Sequence, residues 1–168
     1  MILEIKNLGS KLNTPANDGD VGYDVVAISD PNIVGEKYTG TNQWKSIDYI
    51  EYDTDIAIQF DETGYCTYAF PRSSISKYNL SIANSIGLID SGYQNTIKFR
   101  FKYVVQPKDL VLYNGAINVV VDKSKIYKKG DKIGQLVFAK QIHPELIEYV
   151  DTFERSERGL SGFGSTGE

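Results

Sequence analysis

The sequence predicts an all-β domain on three observations: strand-period alternation, Gly/Asn/Asp/Pro turns between the alternating runs, and no sustained helical period. In residues 96–105, Ile97, Phe99 and Phe101 alternate with Lys98, Arg100 and Lys102, as in a strand with one buried and one wet face. Residues 55–60 repeat the pattern with Ile56, Ile58 and Phe60. Residues 65–70, 110–113, 117–121 and 133–138 are short runs rich in β-branched and aromatic side chains, which suit a pleated, half-buried surface. Residues 73–78 offer one helical turn, and nowhere do apolar residues hold the i, i+3, i+4, i+7 spacing over three turns. Many short strands joined by tight turns point to a sandwich, jelly roll or barrel.

The chain of 168 residues fits one domain, and 41% hydrophobic residues suffice for a packed core. A formal net charge of −4 provides no general attraction to nucleic-acid backbones, and Lys and Arg are scattered, so direct nucleic-acid binding is not expected. The single Cys66 and single His143 exclude a disulfide framework and a conventional Cys/His zinc site. The opening residues lack a basic segment leading into an apolar stretch, and no run reaches the roughly 18 apolar residues of a membrane helix. A soluble, cytoplasmic protein without membrane contact is the expectation.

Five islands stand out by residue type. Gly22-Tyr23-Asp24 follows a Gly/Asp-rich stretch. Pro71-Arg72-Ser73-Ser74 places a guanidinium and two hydroxyls at a strand end, a set suited to phosphate oxygens. The stretch from Asn84 through Gly87-Leu88-Ile89-Asp90-Ser91-Gly92-Tyr93 sets a carboxylate and a phenol three residues apart on a turn. Gly130-Asp131-Lys132-Ile133-Gly134-Gln135-Leu136 is the fourth, and the Gly-rich end from Arg158 through Phe163, Gly164, Ser165 and Thr166 is the fifth. Each has a bland alternative: a turn carboxylate at Asp24, a Ser-capped helix start at Ser73, an amide-satisfying Asp90, a hairpin turn at Gly130, and a frayed terminus.

Together and in this order, the islands resemble the motifs of the trimeric dUTP pyrophosphatase (dUTPase) family, from about Asn13 to the C-terminus. Thr54-Asp55-Ile56-Ala57-Ile58 is similar to the strand preceding that family's second motif. The resemblance implies a jelly-roll-like β-barrel over residues 1–157, a C-terminal active-site arm at 158–168, and a homotrimer with sites between subunits. It implies hydrolysis of dUTP to dUMP and pyrophosphate by water attack on the α-phosphorus, which limits uracil incorporation into DNA and supplies dUMP. Asp90 matches the general base, Tyr93 the residue that excludes ribose, and Asn84 the reader of the uracil edge, with Gly87 and Ile89 on the same hairpin. Arg72, Ser73, Ser74 and Gln135 match phosphate-binding positions. Arg158, Phe163, Gly164, Ser165 and Thr166 match the arm that closes over the nucleotide. Mg²⁺ is the implied cofactor, with Asp24 acting on it through water.

The sequence departs from the family pattern at Gly92, Asn95, Ser161 and Asp55. The stretch from Tyr93 to Gly130 is also longer than the compact pattern, which predicts an added β-excursion at 103–123 around Asn114-Gly115. Some phage-encoded members carry extra segments here and some bind regulatory proteins, so a phage or viral source (with action in the host cytoplasm) and a regulatory protein partner through 103–123 are readings of the resemblance. A functionless longer hairpin is the alternative. Two rival functions remain: a dCTP deaminase-like enzyme, which shares the fold, and a regulatory binding module. No Glu follows the third island as deamination would need; Thr96-Ile97-Lys98 continues the strand instead.

Overall fold

The computed structural model describes residues 3–7 and 12–152. In chain order the strands are β1 (Leu3–Asn7), β2 (Tyr23–Val26), β3 (Asn32–Lys37), β4 (Gln43–Asp53), β5 (Ile56–Phe60) and β6 (Tyr65–Phe70). They continue with β7 (Leu80–Ile82), β8 (Gly87–Ile89), β9 (Lys98–Tyr103), β10 (Leu110–Tyr113), β11 (Ala116–Val120) and β12 (Lys132–Lys140). Short 3-10 turns occupy Ser73–Lys77, Pro107–Asp109 and Lys123–Lys125, and no α-helix occurs among the described residues. None of the described helices is long and apolar enough to cross a membrane.

The strands form three antiparallel groups. β1 pairs with β5; β10, β11, β4, β9 and β7 run in that order with β3 also on β4; and β2, β12, β6 and β8 form the third. The inward faces meet in one core built around Val25, Ile50, Tyr52, Ile56, Phe99, Phe101, Tyr127, Ile133 and Leu136. β9 shows the cause most plainly, since Phe99, Phe101 and Tyr103 are buried while Lys98, Arg100 and Lys102 are exposed. Its polar face is tied to β4: Glu51 accepts from Lys98 at 3.1 Å and from Arg100 at 2.8 Å, and Arg100 stacks on Tyr49 at 4.3 Å. β5 departs from simple alternation because Ala57 is buried along with Ile56 and Ile58.

The long β3–β4 pair is absent from the sequence reading for a local reason. Its ladder shifts register between Val34 and Gly35 and again between Glu36 and Lys37. Each shift breaks the period of two on which alternation depends. Gly35 sits at φ 155, and a Cβ there would strike the Ser46 carbonyl oxygen, so the first bulge requires glycine.

Within 103–123, β10 and β11 form a hairpin turning at Asn114 (φ 50) and Gly115 (φ 73). Buried Asn118 donates from Nδ2 to the carbonyls of Tyr113 and Ala116, holding the turn from inside. The hairpin joins the sheet through Val119 opposite Trp44, and Tyr38 meets Tyr113 edge-on at 5.1 Å. At its base, buried Asp109 accepts from Tyr103 Oη at 2.8 Å and from the Gln106 amide at 2.9 Å.

Candidate active site

Two polar clusters form where strands end, and each gathers residues distant in sequence. The first lies where the chain leaves one sheet for another. β7 pairs with β9, whereas β8 pairs with β6, so residues 83–86 must cross between sheets. The crossing is tight: Ser85 has φ 60, and the Ile86 amide donates to the Asn84 carbonyl at 2.6 Å. A positive φ at a non-glycine residue is a strained arrangement of the kind that gathers at functional sites. After β8 the chain turns again, with the Tyr93 amide donating to the Asp90 carbonyl at 3.1 Å.

Between these two turns lies a cavity of about 230 Å³ lined by Asn84, Gly87, Leu88, Ile89, Asp90, Tyr93 and Lys98, with Ala69 and Ile97 behind them. Gly87 is needed for its floor. A Cβ there would lie 3.0 Å from the Ala69 Cβ, a tight approach, and would stand in ordinary contact with Asn84 Nδ2 at 3.5 Å. Tyr93 donates its hydroxyl to the Thr96 carbonyl at 3.3 Å, which holds the ring at the cavity rather than free in solvent. Asp90 is exposed at the end of β8 and open to water. The cavity can therefore take a small planar ring beside an amide, with a carboxylate at its edge.

The second cluster centres on Asp24. β2 places Asp24 opposite Gln135 of β12, and Gln135 in turn lies opposite Phe70 at the end of β6. Asp24 Oδ2 accepts from Lys132 Nζ at 2.8 Å, and Oδ1 lies 2.7 Å from Arg72 Nε and 3.4 Å from Gln135 Nε2. The Arg72 contact is a close ion pair rather than an aligned hydrogen bond. Burial alone would raise the Asp24 pKa, but hydrogen bonds from Lys132 and Gln135 and the Arg72 and Lys132 charges outweigh it, leaving the carboxyl below its ordinary value. Gly22 lies under Gln135, where a Cβ would sit 2.8 Å from Oε1. Arg72 precedes the 3-10 turn that begins at Ser73; no side chain caps that turn, so the Ser-cap alternative does not hold. Ser73 is exposed and Ser74 half-buried. With two cations around one carboxylate, the cluster is net positive and faces outward, an arrangement that suits phosphate oxygens.

The two clusters do not meet on one chain. Ile89 pairs with Thr67, so Asp90 stands beyond Thr67 while Arg72 lies past the far end of β6. Asp90 is thus level with Cys66, and from there to Arg72 is roughly 20 Å along the strand at a rise of about 3.3 Å per residue. Asp24, Arg72, Ser73 and Gln135 do not line the Asn84–Tyr93 cavity. Arg158, Phe163, Gly164, Ser165 and Thr166 lie outside the described residues.

No group of three or more His, Cys, Asp or Glu side chains that could hold a metal occurs among the described residues. Both Asp24 oxygens already face cations or amide. A metal ligated directly by protein carboxylates does not fit this donor set. Mg²⁺ carried on phosphate oxygens and reached by Asp24 through water fits it, since Mg²⁺ keeps several waters. Two contributors have no site role in the sequence reading: Lys132 of the fourth island, which partners Asp24, and Lys98, which lines the cavity. Neither carries a signal in the sequence, because each acquires its place from strand pairing.

Comparison with known proteins agrees along the whole chain. The sequence model of the dUTPase family matches residues 9–167. The deoxyuridine 5'-triphosphate nucleotidohydrolase of Tropheryma whipplei is 32% identical over 99% of this chain and 96% of its own length. The same enzyme of Desulfitobacterium hafniense is 31% identical, covering 96% of this chain and 91% of its own. Among solved structures, the Staphylococcus bacteriophage 80alpha dUTPase with dUPNHPP is 27% identical with a TM-score of 0.66, over 99% of each chain. With the family model matched over residues 9–167 and a curated relative 32% identical over 99% of the chain, the chain belongs to the dUTPases, the dUTP diphosphatases.

Proposed function

We propose that this dUTPase hydrolyses dUTP at a site completed by a second copy of the chain, with Asp90 as the base. The separation of the two clusters carries this reading. The Asn84–Tyr93 cavity suits a nucleoside and the Asp24–Arg72–Gln135 cluster suits a triphosphate, yet on one chain the cluster residues do not line that cavity. Packing the cavity of one subunit against the cluster of its neighbour resolves this, and a closed ring of such contacts is a symmetric oligomer. A homotrimer is our assignment.

In this site uracil enters the cavity and presents its edge to the Asn84 amide and the backbone of Gly87 and Ile89. Tyr93 packs against the deoxyribose, where a 2′-hydroxyl would clash. Asp90, exposed at the end of β8, orients a water and takes its proton as the oxygen attacks the α-phosphorus. The bond from that phosphorus to the bridging oxygen breaks; dUMP and pyrophosphate leave. Arg72, Ser73, Ser74 and Gln135 bind the phosphates, and Asp24 acts through water. Mg²⁺, when bound, withdraws charge from the phosphate oxygens. Arg158, Phe163, Gly164, Ser165 and Thr166 are assigned to an arm that covers the nucleotide and excludes water. Cleaving the chain before Arg158 should then lower turnover sharply while leaving the thermal transition in place; full activity would remove the arm from the mechanism.

The test is to incubate the purified protein with dUTP, dCTP, UTP and dTTP, with and without Mg²⁺, following pyrophosphate and ammonia. Pyrophosphate from dUTP alone, dependent on Mg²⁺, is expected; ammonia from dCTP would favour the deaminase alternative. Light scattering should report three times the chain mass, and an active monomer would refute the composite site.

One observation favours a second role for residues 103–123. Leu112 and Ile117 face each other across the hairpin and are 79% and 71% exposed. That face suits an apolar surface of a regulatory protein. Replacing both residues by Ser should leave dUTP turnover unchanged; a fall would assign the face to the catalytic assembly instead.

A further inference from the structure

We infer that Lys132 is a positioning residue for the triphosphate, holding the Asp24 carboxylate from one side while Arg72 holds it from the other. The inference rests on the dUTP-hydrolysis reading and extends it to a side chain with no role so far.

The placement depends on a break in the β2–β12 ladder. Gln135 pairs with Asp24 and Gly134 with Val25, but Lys132 pairs with Val26, so the register shifts by one residue between Lys132 and Gly134. On a regular strand, Lys132 would share a face with Gly134 and Leu136, which are both buried. The irregularity instead buries Ile133 completely and turns Lys132 onto the face of Gln135 and Asp24. A bulge that re-aims one side chain next to a functional cluster is a common use of this irregularity.

The resulting geometry is specific. Lys132 Nζ takes Oδ2 of Asp24 at 2.8 Å, and Arg72 Nε approaches Oδ1 at 2.7 Å, so both carboxylate oxygens are engaged and the plane of the group is set. The Asp24 side chain is 15% exposed and that of Lys132 is 48% exposed. An ammonium has three N–H donors, and the Asp24 bond uses one. The half-exposed head can therefore give its remaining protons to a phosphate oxygen without releasing Asp24. Solvent screens the half-exposed Lys132 charge, so the Lys132 contact itself contributes less to folding than a buried pair would, and stability alone is a weak reason for the bulge. Lys132 is not among the residues that line the nucleoside cavity, so it is assigned to the phosphate chain rather than to the nucleoside.

The experiment uses full-length protein carrying Lys132→Met or Lys132→Arg. Steady-state hydrolysis of dUTP is measured beside equilibrium binding of an α,β-imido dUTP analogue and of dUMP, each with and without Mg²⁺. Lys132→Met should raise KM and weaken analogue binding by about tenfold, the scale of one lost charge-assisted hydrogen bond. Its kcat should change by less than about twofold, because an interaction equal in ground and transition states affects KM alone. Binding of dUMP should stay at the wild-type value, and Lys132→Arg should restore most of the analogue affinity. Unchanged analogue binding would overturn the inference. So would a parallel loss of dUMP binding with a lowered thermal transition, which would mark a structural role. Failure of the wild-type protein to release pyrophosphate from dUTP would instead refute the underlying functional reading.

Discussion

Gly134 is the position where one methyl group should disturb both the core and the phosphate cluster. It lies on β12 beside Gln135, and a Cβ there would stand 2.5 Å from Phe99 Cζ and 2.9 Å from Cδ1, closer than carbon atoms approach without displacement. The ring cannot swing away easily, since Phe99 is 2% exposed and stacked at 6.2 Å on Phe101. Gly134 does not have positive φ, so the backbone tolerates alanine and the cost of Gly134→Ala is steric. Overpacking of this kind costs about 1–3 kcal/mol. For a chain of this size each kcal/mol lowers Tm by roughly 2–4 °C, so a fall of roughly 2–12 °C is expected. The assay is a thermal scan at fixed protein concentration, because assembly makes Tm depend on concentration. Adding Phe99→Leu should relieve the clash, so the double variant should lose less than the sum of the two singles by about 1 kcal/mol. A Gly134→Ala protein with wild-type Tm, or strict additivity in the cycle, would refute the packing argument.

Three further outcomes follow from the site. Asp90→Asn should lower kcat by about 10²-fold or more, the scale of general-base catalysis, while leaving analogue binding nearly intact; near-normal turnover would remove Asp90 as the base. Gly22→Ala would set a methyl 2.8 Å from Gln135 Oε1, and should raise KM by several-fold (roughly 1 kcal/mol of lost hydrogen bonding) with little change in Tm; an unchanged KM would show that Gln135 is not a phosphate ligand. The lowered Asp24 pKa means that its ion pairs stabilise the fold fully above the ordinary value of 3.8 and are lost as pH falls through the lowered one. Asp24→Asn should therefore melt below wild type at neutral pH, with the gap closing as the pH drops below about 4. A gap that does not narrow as the pH falls below about 4 would contradict the assignment.

Much of the architecture was legible where residues alternate without interruption. Segment 96–105 buries Phe99, Phe101 and Tyr103 as its pattern requires, because one face of an isolated strand is enough to declare the other. β3 and β4 were not legible, because two register shifts scramble the alternation and Gly35 looks like an ordinary turn residue. Asp24 reads as a turn carboxylate after Gly22 and lies on a strand, since β12 supplies the partner that makes it one.

The sequence by itself determined the family and with it the reaction, because a family model is matched by the order of residues along the chain, here over residues 9–167. Tertiary structure alone decided that these residues fall into two clusters, with Asp90 and Arg72 roughly 20 Å apart along β6, and that Lys132 belongs to one of them. Pairing between strands distant in sequence sets both, and a one-residue bulge in β12 moves a side chain from one face to the other without leaving a mark in composition or spacing.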